Sequence, residues 1–456
     1  MIFSKNELSE IFNQAVAEDV SDICVNSNDA KSGDLFVALT GERTDGHNFI
    51  NRAFENGAAL ALSEKRVESH ESHRIINVTS THDALLKLAK YNLERCSALY
   101  IGVTGSVGKT TTKDLIFHIL SRQLKDQVYV TRKNFNSQTG LPICAATMPT
   151  NTKIGIFEMG MSEIGDIKKL VTLLPPSISV ISKICEAHAK FFDSVWGIAE
   201  AKSEIFETRE QQKAAIIPED SPYTHFLKRR AIENGVQKVF TFGSSNANAD
   251  AKIIDCKISN EERQVIAEIL GTKIEFTCSG NFSIENSLSA ILCAHIACGA
   301  PLQNLADEIY SFHPPSGRGV GIYIKSMDVI LVDDSYNACF TSTKSAIESL
   351  SKYQNSRKIL VIGDMLELGK NEVFYHENLS ATLDKFGIDI VFACGHLAKK
   401  LFDNLRDCKK GTWCENSSEL AEKVLEKIQK GDCILVKGSN SMKMNRIVEA
   451  IKSLEE

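Results

Sequence analysis

Residues 97–110 read SALYIGVTGSVGKT. A β-rich apolar run (97–103) leads into a glycine cluster and a Gly-Lys-Thr triplet, and KTTTKDLIFHILSR (109–122) then carries a helical pattern. Strand, glycine loop and helix in that order is the context in which backbone amides cradle phosphates. The usual spacing is not met. Counting back from Gly108-Lys109-Thr110, the first glycine of a P-loop falls at Val103, and the glycines are Gly102 and Gly105 instead. The shorter loop, Thr104, Gly105, Ser106, Val107, Gly108, Lys109, Thr110 and Thr111, still has what an anion site needs. Gly105 and Gly108 allow backbone angles that other residues resist, so successive amides can point at an anion at a helix N-terminus. Lys109 adds charge for the outer phosphates, and the Thr110 hydroxyl can join a Mg²⁺ shell. The competing reading is a glycine-rich turn with Lys109 as a solvated surface residue; the strand-loop-helix context favours the phosphate site.

Working outward, strand-like runs alternate with helical ones. KIGIFEM (153–159), SISVISKI (177–184), AAIIP (214–218) and VFTFG (239–243) continue the pattern, which predicts a mainly parallel sheet covered on both faces. It resumes with VILVDDS (329–335), KILVIGD (358–364), DIVFACG (389–395) and CILVKGS (433–439), with covering helices in TSTKSAIESLSKY (341–353), SSELAEKVLEKIQ (417–429) and MKMNRIVEAIKSL (442–454). FHPPSGRG (312–319) punctuates the chain between the two units. Before residue 80, DLFVALTG (34–41), AALALSE (58–64) and RIINVTS (74–80) read as strands around one helix, NFINRAFENG (48–57). The expectation is an α/β protein of three domains: a small N-terminal α/β domain (1–82), a central P-loop-type ATPase domain (83–313) and a C-terminal Rossmann-like domain (314–456).

The length of 456 residues fits more than one hydrophobic core. A net charge of −6 gives no electrostatic reason to expect a nucleic-acid partner. No run approaches a membrane span, and MIFSKNELSEIFNQ (1–14) lacks a signal-type apolar core. The 13 cysteines are scattered without a C-x-x-C pair, several in apolar runs such as ILCAHIAC, so free thiols in a reducing cytoplasm are expected.

Two downstream residues bear on the loop. Glu158 ends a strand, where ligands of open α/β sheets gather, and could hold Mg²⁺ beside Thr110. His188, after the next strand, could be a second ligand, although a lone histidine is more often structural. The Asn-Lys-x-Asp string of a switch GTPase is absent, as is a kinase catalytic set.

TGSVGKTTTKD (104–114), EMGMSEIGDI (158–167), EAHAKFF with GIAEAKSEIF (186–206), SGRG (316–319), VDDSYNA (332–338), GDMLELG (363–369) and GDLFVALTGERTDGHNFI (33–50) together resemble the Mur ligase family, the ATP-dependent amide-forming enzymes of peptidoglycan synthesis. The short T-G-x-x-G-K-T loop is that family's form, and the resemblance spans essentially the whole chain. VDDSYNA and GDMLELG resemble the members that join D-alanyl-D-alanine to a UDP-N-acetylmuramoyl-tripeptide. The resemblance implies ATP, two Mg²⁺ and these two substrates as partners, with no nucleic acid and no membrane, on a monomer. It implies that Lys109 and Thr110 serve phosphates and magnesium, that Glu158 and His188 hold metals, and that Lys202 is carbamylated. From the residues alone Lys202 would be an ordinary helix-surface lysine. Asn286 is expected at the adenine, and Arg318 with Asp333, Asp334 or both at the nucleotide. Ser27, Thr44, Asp45, Gly46 and His47 are expected in the uridine pocket, Asn134 and Asn136 toward the muramoyl-peptide, and Tyr336 and Asn337 at the substrate side of the third domain. The chain departs from the family pattern at Asn28, Ser137, Ser162-Glu163, Phe282, Cys339-Phe340 and Asn440.

Overall fold

The computed structural model describes residues 1–455 apart from 42–43, 68–70, 188, 193, 245, 260–261, 280–282 and 354–355. The described residues form three sheets. The first is parallel, β1 (Asp22–Cys24), β2 (Asp34–Val37), β3 (Leu60–Ser63) and β4 (Ile75–Asn77), in that spatial order. Every residue of β2 and β3 is buried, as expected of a parallel sheet covered on both faces. Alternation splits them between two cores: Leu35 and Val37 face one, Phe36 the other. The helix Thr81–Arg95, capped by the Ser80 side chain, leads to the next unit. Its buried Asn92 amide donates to Ala145 and Met148 carbonyls, both at 2.8 Å, which seats the helix on Gly140–Thr147.

The second sheet has nine strands: β5 (Leu99–Thr104), β6 (Val128–Val130), β7 (Ile154–Glu158), β8 (Ile178–Ile181), β9 (Ala214–Pro218), β10 (Val239–Gly243), β11 (Ala251–Ser259), β12 (Glu262–Ile269) and β13 (Thr272–Ser279). Their order is β13-β12-β11-β10-β9-β8-β5-β7-β6, parallel from β11 to β6. The antiparallel meander β11–β13 is absent from the sequence reading, which has no strands between 243 and 327. Its signal was there: Val265, Ala267 and Ile269 alternate inward, and Leu270-Gly271, with φ of 51° and 76°, makes the two-residue turn whose twist suits a hairpin.

The third sheet is ordered β14-β15-β19-β16-β17-β18, from β14 (Val320–Ile324), β15 (Val329–Asp334), β16 (Arg357–Gly363), β17 (Ile390–Cys394), β18 (Lys410–Cys414) and β19 (Asp432–Lys437). Only the edge strand β14 is antiparallel. The three-domain α/β architecture read from the sequence is the one observed. Among the described residues the thirteen cysteines form no disulfide. Among the described residues no helix is long and apolar enough to cross a membrane.

Candidate active site

The carboxyl ends of β8, β5 and β7 lie side by side, and the glycine loop springs from the middle one. Its backbone is fixed from outside. Thr104 Oγ1 donates to the Met159 carbonyl at 2.8 Å. Ser106 Oγ donates to the Cys185 carbonyl (2.8 Å) and accepts from the Cys185 amide (3.1 Å). Ser182 Oγ donates to the Val107 carbonyl at 2.7 Å. Two glycines are required here. Gly105 has φ 150° and a Cβ on it would fall 2.0 Å from Ser182 Oγ; Gly108 has φ 86° and a Cβ would fall 2.9 Å from Asn286 Oδ1. Asn286 thus lies against the loop at the start of the helix Lys109–Leu124, while Thr111 is buried in that helix's first turn.

Lys109 curls back: Nζ donates to the carbonyls of Gly105 (2.7 Å) and Ser106 (3.1 Å). Burial holds its pKa below the ordinary lysine value, Glu158 partly offsets this, and Arg318 lowers it further. Thr110 Oγ1 donates to Glu158 Oε2 and Asn136 Nδ2 to Glu158 Oε1, each at 2.7 Å, with Glu158 2% exposed. Lys202, on the helix Val195–Ser203, is 1% exposed, and its ammonium has no hydrogen-bond or ion-pair partner among the described residues. The helix-surface alternative is therefore overturned. Burial first, and then the nearby Lys109 charge, push the Lys202 ammonium well below its ordinary pKa. His188 lies outside the described residues, as does Phe282.

In the third domain, Arg318 stacks on Tyr336 at 4.0 Å from the ring centre, and its charge reaches Lys109 across the domain seam. Asp333 and Asp334, expected at the nucleotide, each hold protein partners in this structure. Asp333 accepts from the Gly317 amide (2.8 Å), the Ser335 amide (3.2 Å) and Ser335 Oγ (2.6 Å), tying SGRG to the end of β15. Asp334 pairs with the buried Lys437 at 2.6 Å, and Lys437 also donates to the Asn337 carbonyl at 2.9 Å. Asn440 Nδ2 donates to the Tyr336 carbonyl at 3.3 Å. These bonds hold the segment from Tyr336 to Asn337 on the strand ends.

The first-domain residues also gather at strand carboxyl ends, after β1, β2 and β3. Ser27 is buried and its carbonyl accepts from Asn56 Nδ2 at 2.8 Å. Thr44 is exposed, and a Cβ on Gly46 would fall 2.7 Å from the Leu39 carbonyl oxygen. Asp45 accepts from His47 Nδ1 and Lys65 Nζ, both at 2.5 Å, and these bonds, Lys65 first, hold its carboxyl far below the usual range. His47 Nε2 accepts from the Glu64 amide (3.3 Å), which leaves the proton on Nδ1. Asn134, predicted with Asn136 for the muramoyl side, is exposed, whereas Asn136 sits on Glu158.

Three family models match consecutive parts of the chain: Mur ligase family, catalytic domain (19–92), Mur ligase middle domain (103–294) and Mur ligase, glutamate ligase domain (322–440). A Rickettsia prowazekii protein named UDP-N-acetylmuramoyl-tripeptide–D-alanyl-D-alanine ligase is 34% identical, with 98% of this chain and 99% of that protein covered. The chain belongs to the Mur ligase family. A protein of the same name from Bacillus subtilis is 35% identical, over 91% of this Mur ligase and 89% of its own length. Among solved structures, MurF from Acinetobacter baumannii has a TM-score of 0.86 at 25% identity, covering 99% of both chains. MurF ligase from Thermotoga maritima in complex with ADP has a TM-score of 0.81 at 28% identity, covering 96% of this Mur ligase and 98% of that chain.

Sequence reasoning missed Lys437 and the seam contacts of this Mur ligase. Glu186 takes bonds from Thr341 at its amide (2.5 Å) and Oγ1 (2.8 Å), and the Lys190 amide donates to the Glu367 carbonyl at 2.9 Å. Lys437 could have been suspected, because a lysine closes the apolar strand CILVK. The Glu186–Thr341 pairing, 155 residues apart, has no local signal. Beside it a cleft of about 710 Å³ opens between the central and third domains, lined by residues including Lys190, Phe192, Lys370 and Tyr375.

Proposed function

We propose that this chain is the ATP-dependent ligase that joins D-alanyl-D-alanine to UDP-N-acetylmuramoyl-tripeptide in peptidoglycan synthesis, acting in the cytoplasm as a monomer. The observation that carries the reading is the charge cluster at the seam: Lys109, Thr110, Glu158 and Lys202, whose ammonium has no partner among the described residues, on the central domain, with Arg318 facing them from the third. Relatives bearing that activity in their names align over nearly the whole chain. The labour is divided among residues 1–82 for the uridine nucleotide, 83–313 for ATP and 314–456 for the incoming dipeptide.

A carboxylate cannot accept an amine until its oxygen becomes a good leaving group. The γ-phosphoryl of ATP goes to the terminal carboxylate of the tripeptide, giving an acyl phosphate. The D-alanyl-D-alanine amine attacks its carbonyl carbon, and phosphate departs. The chain's task is positioning and charge neutralisation. The loop amides from Gly105 to Thr110 receive phosphate oxygens, and Lys109 exchanges the loop carbonyls for the outer phosphates. Asn286 borders the nucleotide beside Gly108, and Arg318 approaches from across the seam.

The Thr110 hydroxyl and Glu158 carboxylate, touching at 2.7 Å, are the oxygen donors that Mg²⁺ takes, and His188 is proposed with them. When bound, Mg²⁺ would offset the charge gathered on the transferring phosphoryl group. Lys202 fits a carbamate: burial and the Lys109 charge disfavour its ammonium form, and the free amine can add CO₂, release a proton and become an anion. Such an anion would balance the Lys109 charge as well as a metal.

The test is an omission assay that follows phosphate and the UDP-linked product together. With ATP and UDP-muramoyl-tripeptide alone, turnover should stall. Adding D-alanyl-D-alanine should give one phosphate per amide. Rapid ATP hydrolysis without either substrate, and no amide product, would sink the reading in favour of an ATP-gated binding protein.

A further inference from the structure

Cys185 follows β8 in the segment that backs the glycine loop, and Cys339 caps the helix Phe340–Ser351 of the third domain. Their sulfurs stand 3.8 Å apart across the seam. Both sulfurs and a carboxylate oxygen of Glu186 lie within 4.8 Å of one another, and all three residues are buried. We propose that Cys185, Cys339 and Glu186 form a binding site for a thiophilic divalent cation, zinc by preference, that fastens the third domain to the central one.

The geometry suits a metal. Two Zn–S bonds of about 2.3 Å at the tetrahedral angle span about 3.8 Å, so the sulfurs already mark one edge of the coordination sphere. A disulfide would need the same atoms to close to about 2.05 Å. Glu186 has both oxygens bonded by Thr341, the kind of outer contact that fixes a ligating carboxylate while leaving lone pairs for an ion. A water completes four-coordination. The thiols are unequal. A hydrogen bond from Cys185 draws the Cys339 thiol below its usual range, and that sulfur also accepts at the N-terminal turn of its helix. The matching contact and burial raise Cys185. Binding would release the thiol protons to solvent and leave two thiolates on the ion.

Ligands from two domains make the ion a clamp. Cys185 is bonded in both directions to Ser106 of the glycine loop, so the clamp acts one residue from the phosphate site. Bound zinc would hold the seam closed and slow the reopening that each turnover needs. The binding claim is independent of the ligase reading; the effect on turnover rests on it.

The experiment uses the full chain, stripped of metal, in a non-thiol reductant with excess Mg²⁺ to fill oxygen-donor sites. Cobalt(II) is the probe. A thiolate-to-cobalt charge-transfer band that saturates at one equivalent and is bleached by zinc supports the site. The band should vanish in Cys185→Ala and in Cys339→Ser, the latter retaining a good helix cap. No charge-transfer band in the wild type, or a band that persists in both variants, overturns the site. Zinc at one equivalent should lower steady-state amide formation several-fold in the wild type and not in Cys339→Ser, with recovery on chelation. Zinc that binds and leaves turnover unchanged overturns the clamp.

Discussion

The central and third domains both bring lysines to their shared seam, and they treat them in opposite ways. In the third domain the charges are closed on protein partners: Asp333 on Gly317 and Ser335, Asp334 on Lys437. In the central domain Lys202 is buried with no partner among the described residues, and Lys109 rests only on its own loop's carbonyls. Closed pairs fix a shape. Open charges cost stability and wait for something to bind, which is why strongly perturbed groups in a cleft point to function.

The sharpest break of this contrast is Lys202→Ala. Amide formation should fall about a thousandfold, the upper end for removing one preorganised stabilising group. Small carboxylic acids added to the assay should restore part of it. Full activity without additive would refute the carbamate. Lys109→Ala should cost about a hundredfold in kcat/KM for ATP on the same scale, with an unchanged circular-dichroism spectrum. Near-normal turnover would remove it from the phosphate site.

On the closed side, Asp334→Asn strands the Lys437 ammonium, whose side chain is 2% exposed. Because Asp334 keeps some solvent contact, the expected loss is about 2 to 3 kcal/mol, the low side of breaking a buried pair. Urea unfolding followed by Trp413 in a Trp196→Phe background reads it. By contrast Lys202→Met should raise stability while abolishing activity, and a destabilised Lys202→Met would undo the comparison.

Titration sharpens it further. The folded-state pKa of Lys202 is depressed from 10.5, so between the two values the unfolded chain holds the extra proton. Stability of the wild type therefore rises with pH across that window. In carbon-dioxide-free buffer, the advantage of Lys202→Met should narrow as pH climbs toward 10.5. A gap that is constant with pH would mean a normally charged lysine. The smallest effect is expected at Asp45→Asn, where an exposed bond to Lys65 and a part-buried one to His47 shape a loop: a few-fold rise in KM for the uridine substrate at constant kcat.

The strands around the glycine loop were legible because they are long, apolar and buried on both faces, so that 214–218 and 239–243 coincide with β9 and β10. The three-residue β1 and β6 are too short to carry a period, and β11–β13 were passed over although they alternate. The grouping of Thr110 with Glu158 followed from position at neighbouring strand ends. The uses of Asp333 and Asp334 did not, because Gly317 and Lys437, which they hold, lie 16 and 103 residues away. Lys202 shows the limit most clearly: its helix spacing allows a surface residue, and only its packing reveals burial.

Val107, at the tip of the glycine loop, packs its side chain against an apolar cluster that joins Cys185 and Ala187 of the central domain to the core of the third. The loop is thus finished by a surface that both domains share. A central domain cut free of its neighbour would expose an oily tip to water and lose the lateral support of its phosphate cradle. For inhibitor design the lesson is geometric. A compound that wedges an apolar group beside Val107 would act as a doorstop, leaving the phosphate contacts intact and the acceptor out of reach.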